Sequence, residues 1–307
     1  MATEEFTDFK AGFVAVVGRP NVGKSTLMNA LLGQKVAAVS PRPQTTRRQQ
    51  LGILTLDSVQ IIFTDTPGVH NPHHKMGGRM NEEALVALES PDVILFMVSA
   101  ARPPHPEDQM LADAINALKS PPPIIIALNK IDLLPADGSI SHVESYQALI
   151  PTAQVVEISA ETGKNLGDLL ERIIVHLPQS PPYYPEDQVT DLYEREIAAD
   201  LIREAALNLL REEVPHAMAV RIDEFTERED GLAYIEATLF VERDSQKGIV
   251  IGKGGAMMKK IGTAARKEIE AMSDRKVYLK LRVKLRKNWR NDDNFLQRFD
   301  FRVRKNK

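Results

Sequence analysis

Eight consecutive residues, Gly18-Arg19-Pro20-Asn21-Val22-Gly23-Lys24-Ser25, have the spacing of a phosphate-binding loop: two glycines with four residues between them, then Lys and Ser. They follow the apolar run 13–17 and precede a helix-like segment, 26–32. Glycines let the backbone wrap so that its N–H groups face phosphate oxygens, and the following helix adds the positive end of its dipole. Lys24 is then the group to reach the outer phosphates, and the Ser25 hydroxyl the one to ligate a magnesium ion. Thr26 opens the helix, so all residues from Gly18 to Thr26 are candidate contacts of a nucleoside triphosphate.

Two further stretches stand where apolar runs end. Ile61-Ile62-Phe63-Thr64-Asp65-Thr66-Pro67-Gly68 closes on an acid and then a glycine. Asp65 is placed to hold the metal through water, and the Gly68 N–H to bond a terminal phosphate oxygen, so that this loop senses whether the phosphate is present. By itself Asp-x-x-Gly fits many ordinary turns. Asn129-Lys130-Ile131-Asp132 follows the run 124–128. A carboxylate there accepts from the N1–H and N2 amine of guanine, whereas adenine would leave a buried acid unpaired. Alone this stretch also fits a helix-capping turn; beside the other two motifs it selects GTP over ATP. Ser159-Ala160-Glu161 offers a small residue whose N–H can approach the guanine O6. Between the phosphate loop and Asp65, the polar stretch Pro41-Arg42-Pro43-Gln44-Thr45-Thr46-Arg47-Arg48 lacks periodicity. It fits a plain surface loop, or a mobile one that brings a threonine hydroxyl to the metal when a γ-phosphate is bound.

The elements that must position these groups are short apolar runs alternating with helical patterns. Strands are expected over 13–17, 52–56, 60–64, 92–99, 123–128 and 154–158, mostly apolar throughout, as suits a parallel sheet covered on both faces. Asp57-Ser58 makes a tight turn, so the second and third strands form an antiparallel hairpin at one edge. Helices are expected over 81–89, 107–119, 141–149 and 167–177, the last with Leu166, Leu169, Leu170, Ile173, Ile174 and Leu177 at helical spacing. This is a doubly wound α/β domain with its ligand at the carboxyl ends of the strands. Pro178-Gln-Ser-Pro-Pro-Tyr-Tyr-Pro185 reads as a semi-rigid linker. Beyond it the expected order is a helix over 190–211, strands over 216–225 and 232–242 joined at Glu229-Asp230-Gly231, a short helix over 246–251, the loop Gly252-Lys253-Gly254-Gly255, a helix over 256–271, and a strand over 276–286 with one apolar and one basic face.

Charge is unevenly spread. Residues 245–307 hold 19 basic and 6 acidic side chains, a net of +13, whereas the whole chain carries -3. Such a block suggests a polyanionic partner, most often nucleic acid, although a solvated basic tail has the same composition. The absence of cysteine excludes disulfides, thiolate metal sites and cysteine nucleophiles. The acidic N-terminus has neither a signal-peptide core nor the pattern of a transit peptide, and no apolar run approaches bilayer length, so a cytoplasmic location is expected.

These motifs, in this order, resemble the translation-factor-related class of small GTPases, and Pro43-Gln44-Thr45-Thr46-Arg47 resembles the switch of the Era family. The resemblance implies Thr46 as a metal ligand beside Ser25 and Asp65, with Thr45 its neighbour and rival. It implies that Lys24, Asn21, Thr46 and Gly68 act on the reacting phosphate, and that Asn21 holds a potassium ion in place of an arginine finger. Val69 stands where Ras-like GTPases carry a water-positioning glutamine, so hydrolysis is expected to be slow unaided. His70, His73 and His74 are read as solvated loop side chains rather than bases or zinc ligands. The second half is similar to a type II KH module, in which a GxxG loop clamps single-stranded RNA; Ile251, Gly252, Lys253, Gly254, Gly255, Lys259 and Lys260 are its RNA-contact candidates. The chain is thus divided into a tail (1–10), a GTPase domain (11–178), a Pro-rich linker (179–189), a type II KH domain (190–290) and a basic tail (291–307). The family implies GTP/GDP and Mg2+ as cofactors with K+ as a further ion, small-subunit ribosomal RNA and the ribosomal subunit as partners, a monomer, and peripheral association with the inner face of the membrane. The rival expectation is a GTPase whose basic domain docks on protein or membrane instead of RNA. A tRNA-modifying GTPase is disfavoured because that family ends in a catalytic cysteine.

Overall fold

The computed structural model describes residues 8–40, 42, 45–70, 72, 74–134, 142–228 and 231–297. Pro41, Pro43, Gln44, His73, the start of the helix expected at 141, the turn Glu229-Asp230, most of the N-terminal tail and the end of the basic tail lie outside that range. Two compact units emerge: Met1–Gln34, Thr46–Asn71 and Met80–Asp191 form the first, and Lys35–Thr45, Pro72–Arg79 and Leu192–Lys307 the second. Among the described residues no helix is long and apolar enough to cross a membrane.

The first unit is built on a six-stranded sheet in the order β2-β3-β1-β4-β5-β6. Its strands are β1 (Lys10–Val17), β2 (Gln50–Leu56), β3 (Val59–Asp65), β4 (Val93–Ser99), β5 (Ile124–Asn129) and β6 (Gln154–Glu157). Only β2 runs antiparallel, paired with β3 across the Asp57-Ser58 turn, as the sequence predicts. β3, β4 and β5 are buried at every residue, the consequence of helices on both faces. The helices are α1 (Lys24–Leu32), α2 (Lys75–Val86), α3 (Pro106–Asn116), α4 (Val143–Gln147) and α5 (Leu166–His176), and the first turn of α2 groups with the second unit. α2 starts six residues before the predicted helix at 81, because two glycines and a polar first turn hide its amphipathic pattern.

The proline-rich stretch behaves differently from a free linker. Gln60, a buried polar residue within β3, accepts from the N–H groups of Tyr183 and Tyr184 through Oε1 (2.7 and 3.0 Å) and donates through Nε2 to the Tyr184 carbonyl at 2.9 Å. Lys10 bridges to Gln179, Gly52 bridges to Thr190, and the Asp191 carboxylate accepts from the Leu51 N–H. The proline-rich stretch is thus strapped to β1 and β3, and residues 189–191, just beyond it, close the β2 edge. For the same reason the next helix starts at Glu194 rather than at 190: residues 190 and 191 are committed to that edge.

The second unit carries a three-stranded sheet, β7 (Ala219–Glu227), β8 (Ala233–Val241) and β9 (Val277–Leu285), in that order, with β9 parallel to β8. Against one face lie α6 (Glu194–Leu209), α7 (Asp244–Ile251) and α8 (Ala256–Ser273), whose Ile197, Leu201, Val250, Ile261, Ala265 and Ile269 meet Ile235, Leu239 and Val277. Trp289, near the end of the range read as the KH domain, is fully buried with its indole N–H on the Ala217 carbonyl (2.9 Å), and in the stretch read as a basic tail α9 (Asp293–Gln297) buries Phe295 and Leu296. Lys35, from the stretch after α1, places its ammonium 2.8 Å from both Glu204 and Glu268, and Arg42 donates to the Leu210 carbonyl. Asp293 accepts from Lys75 and Arg79 at 2.6 and 2.7 Å.

Candidate nucleotide site and nucleic-acid interface

In the first unit, the ends of β1, β3 and β5 and the loop after β6 bring four sequence motifs to one edge of the sheet, where a doubly wound fold binds ligands. Gly18–Gly23 links β1 to α1, and Lys24 begins the helix. The Lys24 ammonium is buried and donates to the carbonyls of Gly18 (3.0 Å) and Arg19 (3.1 Å). Burial lowers its pKa to about 8, opposed chiefly by the Asp65 carboxylate. Gly68 comes so close to the loop that a Cβ on it would lie 2.5 Å from the Pro20 nitrogen.

Three oxygen-bearing side chains converge below that loop. Ser25 Oγ lies 2.9 Å from Thr46 Oγ1 and donates to Asp65 Oδ2 at 3.0 Å; Thr46 Oγ1 is 3.3 Å from the same oxygen. Asp65 is fully buried, Gln50 also donates to its Oδ2, and its Oδ1 has no hydrogen-bond partner among the described residues. Burial pushes this carboxyl up, opposed by Lys24 and the three donors. Two hydroxyls beside a buried carboxylate with one oxygen unsatisfied match the hard-oxygen ligation of Mg2+, so these residues fit the ion. The adjacent threonines part company: the Thr45 hydroxyl donates to the Arg42 carbonyl at 3.0 Å.

The base-reading motifs differ from expectation in two respects. Asn129 is buried and works as a latch, donating to the Val22 carbonyl (2.8 Å) and accepting from the Ala160 N–H (2.9 Å). That amide, expected to be available for guanine, is therefore engaged within the protein. Asp132 is exposed rather than buried, with Oδ1 receiving the Ser159 hydroxyl at 2.6 Å. Lys130 adopts φ 70° and reaches the Asn21 carbonyl at 2.8 Å. Asn21, also at positive φ, and Glu161 are exposed.

In the second unit, α7 stops at Gly252, which has φ 73° and whose Cβ would fall 2.8 Å from Met257. Lys253, Gly254 and Gly255 make one tight turn, closed by the Gly255 N–H on the Gly252 carbonyl, before α8 begins. Lys253, Gly254, Lys259 and Lys260 are exposed, and Ile251 is half-buried beneath them.

Residues 13–130 match the family described as 50S ribosome-binding GTPase, and residues 213–290 match the KH domain family. Among solved structures, Era in complex with MgGDPNP and nucleotides 1506–1542 of 16S ribosomal RNA is 40% identical over 96% of this chain and 100% of its own, with a TM-score of 0.91. The chain belongs to the Era family. A variant of Aquifex aeolicus Era bound to GDP·AlF4− is similar to the same extent, 40% identical over 96% of this chain and 100% of that one, at a TM-score of 0.90.

Within this Era-family GTPase, two features of the site escape the motifs. Arg19 donates to Asp108 Oδ2 at 3.2 Å, and that carboxylate, fully buried at the start of α3, also accepts from the His105 N–H at 2.9 Å. His105-Pro106-Glu107-Asp108 is a legible capping box, but nothing in it indicates that Asp108 reaches the phosphate loop. His70 is not solvated: it is buried, with Nδ1 3.0 Å from the Gly68 carbonyl, and Asn81 brackets its backbone N–H and C=O. Val69 packs into the core with Val17 and Phe96. Among the described residues no three His, Asp or Glu side chains gather as a metal cluster.

Proposed function

We propose that this protein is a GTP-driven switch that binds small-subunit ribosomal RNA near its 3′ end and acts in assembly of that subunit, with hydrolysis serving as a timer. The observation that carries this reading is end-to-end similarity, at 40% identity, to an Era bound to both MgGDPNP and 16S nucleotides 1506–1542. Guanine-nucleotide binding and GTP hydrolysis follow from membership of the family, and the GxxG loop supplies a second site suited to RNA backbone.

Lys24 and the backbone N–H groups from Asn21 to Ser25 would hold the phosphates, and Ser25, Thr46 and Asp65 would hold magnesium. The ion, when bound, neutralises charge on the phosphate oxygens. Asp132 reads the guanine edge, and Asn129 fixes the Val22 and Ala160 backbones on either side of it. Val69 is turned into the core, so no side chain at that position orients water, and unaided turnover is slow. Asn21, exposed at positive φ beside the phosphates' place, would hold a potassium ion, which would supply the missing positive charge; equal GTP turnover in sodium and potassium buffers would exclude this.

The switch rests on covalent continuity. Thr46 belongs to the first unit and Thr45 to the second, so ordering Thr46 at a γ-phosphate and metal tugs a segment anchored through Lys35 and Arg42. Coupling of this kind is reciprocal: GTP tightens RNA binding by the factor by which RNA tightens GTP binding. RNA affinity measured with GDP and with a nonhydrolysable GTP analogue tests it, and equal values refute it. The reading places the protein in the cytoplasm as a monomer, with ribosomal subunits as its assembly partner and with peripheral attachment to the inner membrane face.

A further inference from the structure

The sheet of the second unit has two unlike faces. Ala233, Ile235, Ala237, Leu239 and Val241 of β8 and Val277, Leu279, Leu281 and Val283 of β9 meet the helices, so the GxxG loop between α7 and α8 belongs to that side. Alternation sends Tyr234, Glu236, Thr238 and Phe240, and likewise Tyr278, Lys280, Arg282 and Lys284, to the opposite face. At one end this face is covered, as Phe295 packs edge-on against Phe240 with ring centroids 5.1 Å apart. Among the described residues the other end carries no such cover. There Tyr234 and Tyr278, partners in the β8–β9 register, stack with centroids 5.4 Å apart and planes 5° from parallel. The Arg228 guanidinium lies 4.6 Å from the Tyr234 centroid, extending the column from the β7 side.

The column ends on Tyr278, which sits on the edge strand and is 54% exposed. Tyr234 is fixed by its hydroxyl, which donates to Glu236 at 2.6 Å. Glu236 also serves Lys280 (2.6 Å) and Arg282 (2.9 Å), one carboxylate for two cations, and Lys284 has no ionic partner among the described residues. These three cations follow Tyr278 along β9 at every second residue, about 6.6 Å apart. A cross-strand tyrosine pair needs only its neighbour for stability. It does not need its outer member bare at the edge of the sheet, at the head of a cationic row. That combination is the one by which proteins hold single strands, aromatics stacking bases while cations track phosphates.

We propose that Tyr278, backed by Tyr234 and Arg228, is a stacking platform for an unpaired RNA base, with Lys280, Arg282 and Lys284 following the adjoining backbone: a second RNA-contact surface on the face opposite the GxxG loop. It rests on the RNA-binding reading above. The full chain is titrated with RNA of 16S nucleotides 1506–1542, and binding is read by anisotropy alongside tryptophan emission. Tyr278→Ala is expected to weaken binding about tenfold. Tyr278→Trp is expected to bind within about twofold of wild type and to lose emission as RNA is added, beyond the change that buried Trp289 shows in the wild type. An Ala variant that binds as the wild type does, together with unquenched Tyr278→Trp, overturns the proposal and leaves the GxxG reading standing. No binding by the wild type overturns both. Loss of binding to anionic vesicles by Tyr278→Ala with RNA affinity unchanged would assign the face to a membrane and likewise overturn it.

Discussion

The phosphate loop and the GxxG loop are both turns that lead into a helix and carry lysines for phosphate, yet they are built in opposite ways. In the first unit the polar groups around the phosphate loop are withdrawn from water: Lys24, Asp65, Asn129 and Asp108 are buried, and each is held by two or more named neighbours, while Asp132 at the base-reading end stays exposed. In the second, Lys253, Lys259 and Lys260 stand in solvent. A nucleotide has a fixed shape that an enclosed, preorganised cradle can match, and a low dielectric makes each contact strong. A polymer must enter from the side and be held by many weak, screened contacts.

Removing one charge from the enclosed site should therefore have the largest effect. Lys24→Ala takes away the buried ammonium placed to meet the phosphates, and a charge-assisted contact in a low-dielectric site is worth about 3 kcal/mol or more. Equilibrium titration with a fluorescent GTP analogue should show affinity lost by at least about a hundredfold. A loss below tenfold would mean that the site is more open to water than its burial indicates.

The open site should yield less per residue. Replacing Lys253 and Gly254 together by Asp adds repulsion where RNA backbone is to pass, and RNA affinity should fall about ten- to a hundredfold at physiological salt. GTP turnover without RNA should stay within about twofold. Raising salt should weaken wild-type RNA binding steeply, with a log–log slope near 0.7 per phosphate contact for a single strand, and the double variant should show a shallower slope. Equal slopes would remove this loop from the interface.

The same contrast decides what could be read from sequence. Runs such as 124–128 and 61–63 announce buried strands because sheets covered on both faces favour apolar residues at successive positions, and ligand groups follow at their ends. The hairpin through Asp57-Ser58 was legible for a similar local reason. What was not legible is long-range pairing by polar groups. Gln60 in a buried strand signals a partner, but only the fold reveals that the partner is the 183–184 backbone, which fastens an apparent linker to the first unit. Asn129 looks like a base-reading residue, and its tie to Val22 depends on two strand ends meeting. Phe295 and Leu296 are apolar residues in the stretch 291–307 read as a basic tail, and composition outweighed them.

Proton linkage probes the enclosed site more gently. Lys24 has a pKa of about 8 in the folded protein, below its ordinary 10.5, and only its charged form attracts phosphate. Nucleotide affinity should thus be level below about pH 8 and fall as pH rises through it, by up to tenfold per unit. A flat profile to pH 9.5 would mean that Lys24 stays charged, as an exposed lysine does.

Glu83 of α2 gives the smallest effect and extends the comparison from ligand binding to stability. Its carboxylate accepts from the Gln49 N–H at 3.1 Å, next to the Thr46–Arg48 segment, and burial raises its pKa from 4.5 to about 7. In the folded chain the group keeps its proton at pH values where the unfolded chain has lost it. The folded state therefore binds more protons between about pH 4.5 and 7, and stability must fall as pH rises through that window. Glu83→Gln keeps an oxygen for the Gln49 N–H and removes the titration. Melting curves at pH 5 and pH 7 should show the wild type losing more of its midpoint than the variant over that interval, a difference of a few degrees. Parallel losses would mean that water reaches Glu83 freely, and that the enclosed character of this unit ends at its phosphate edge.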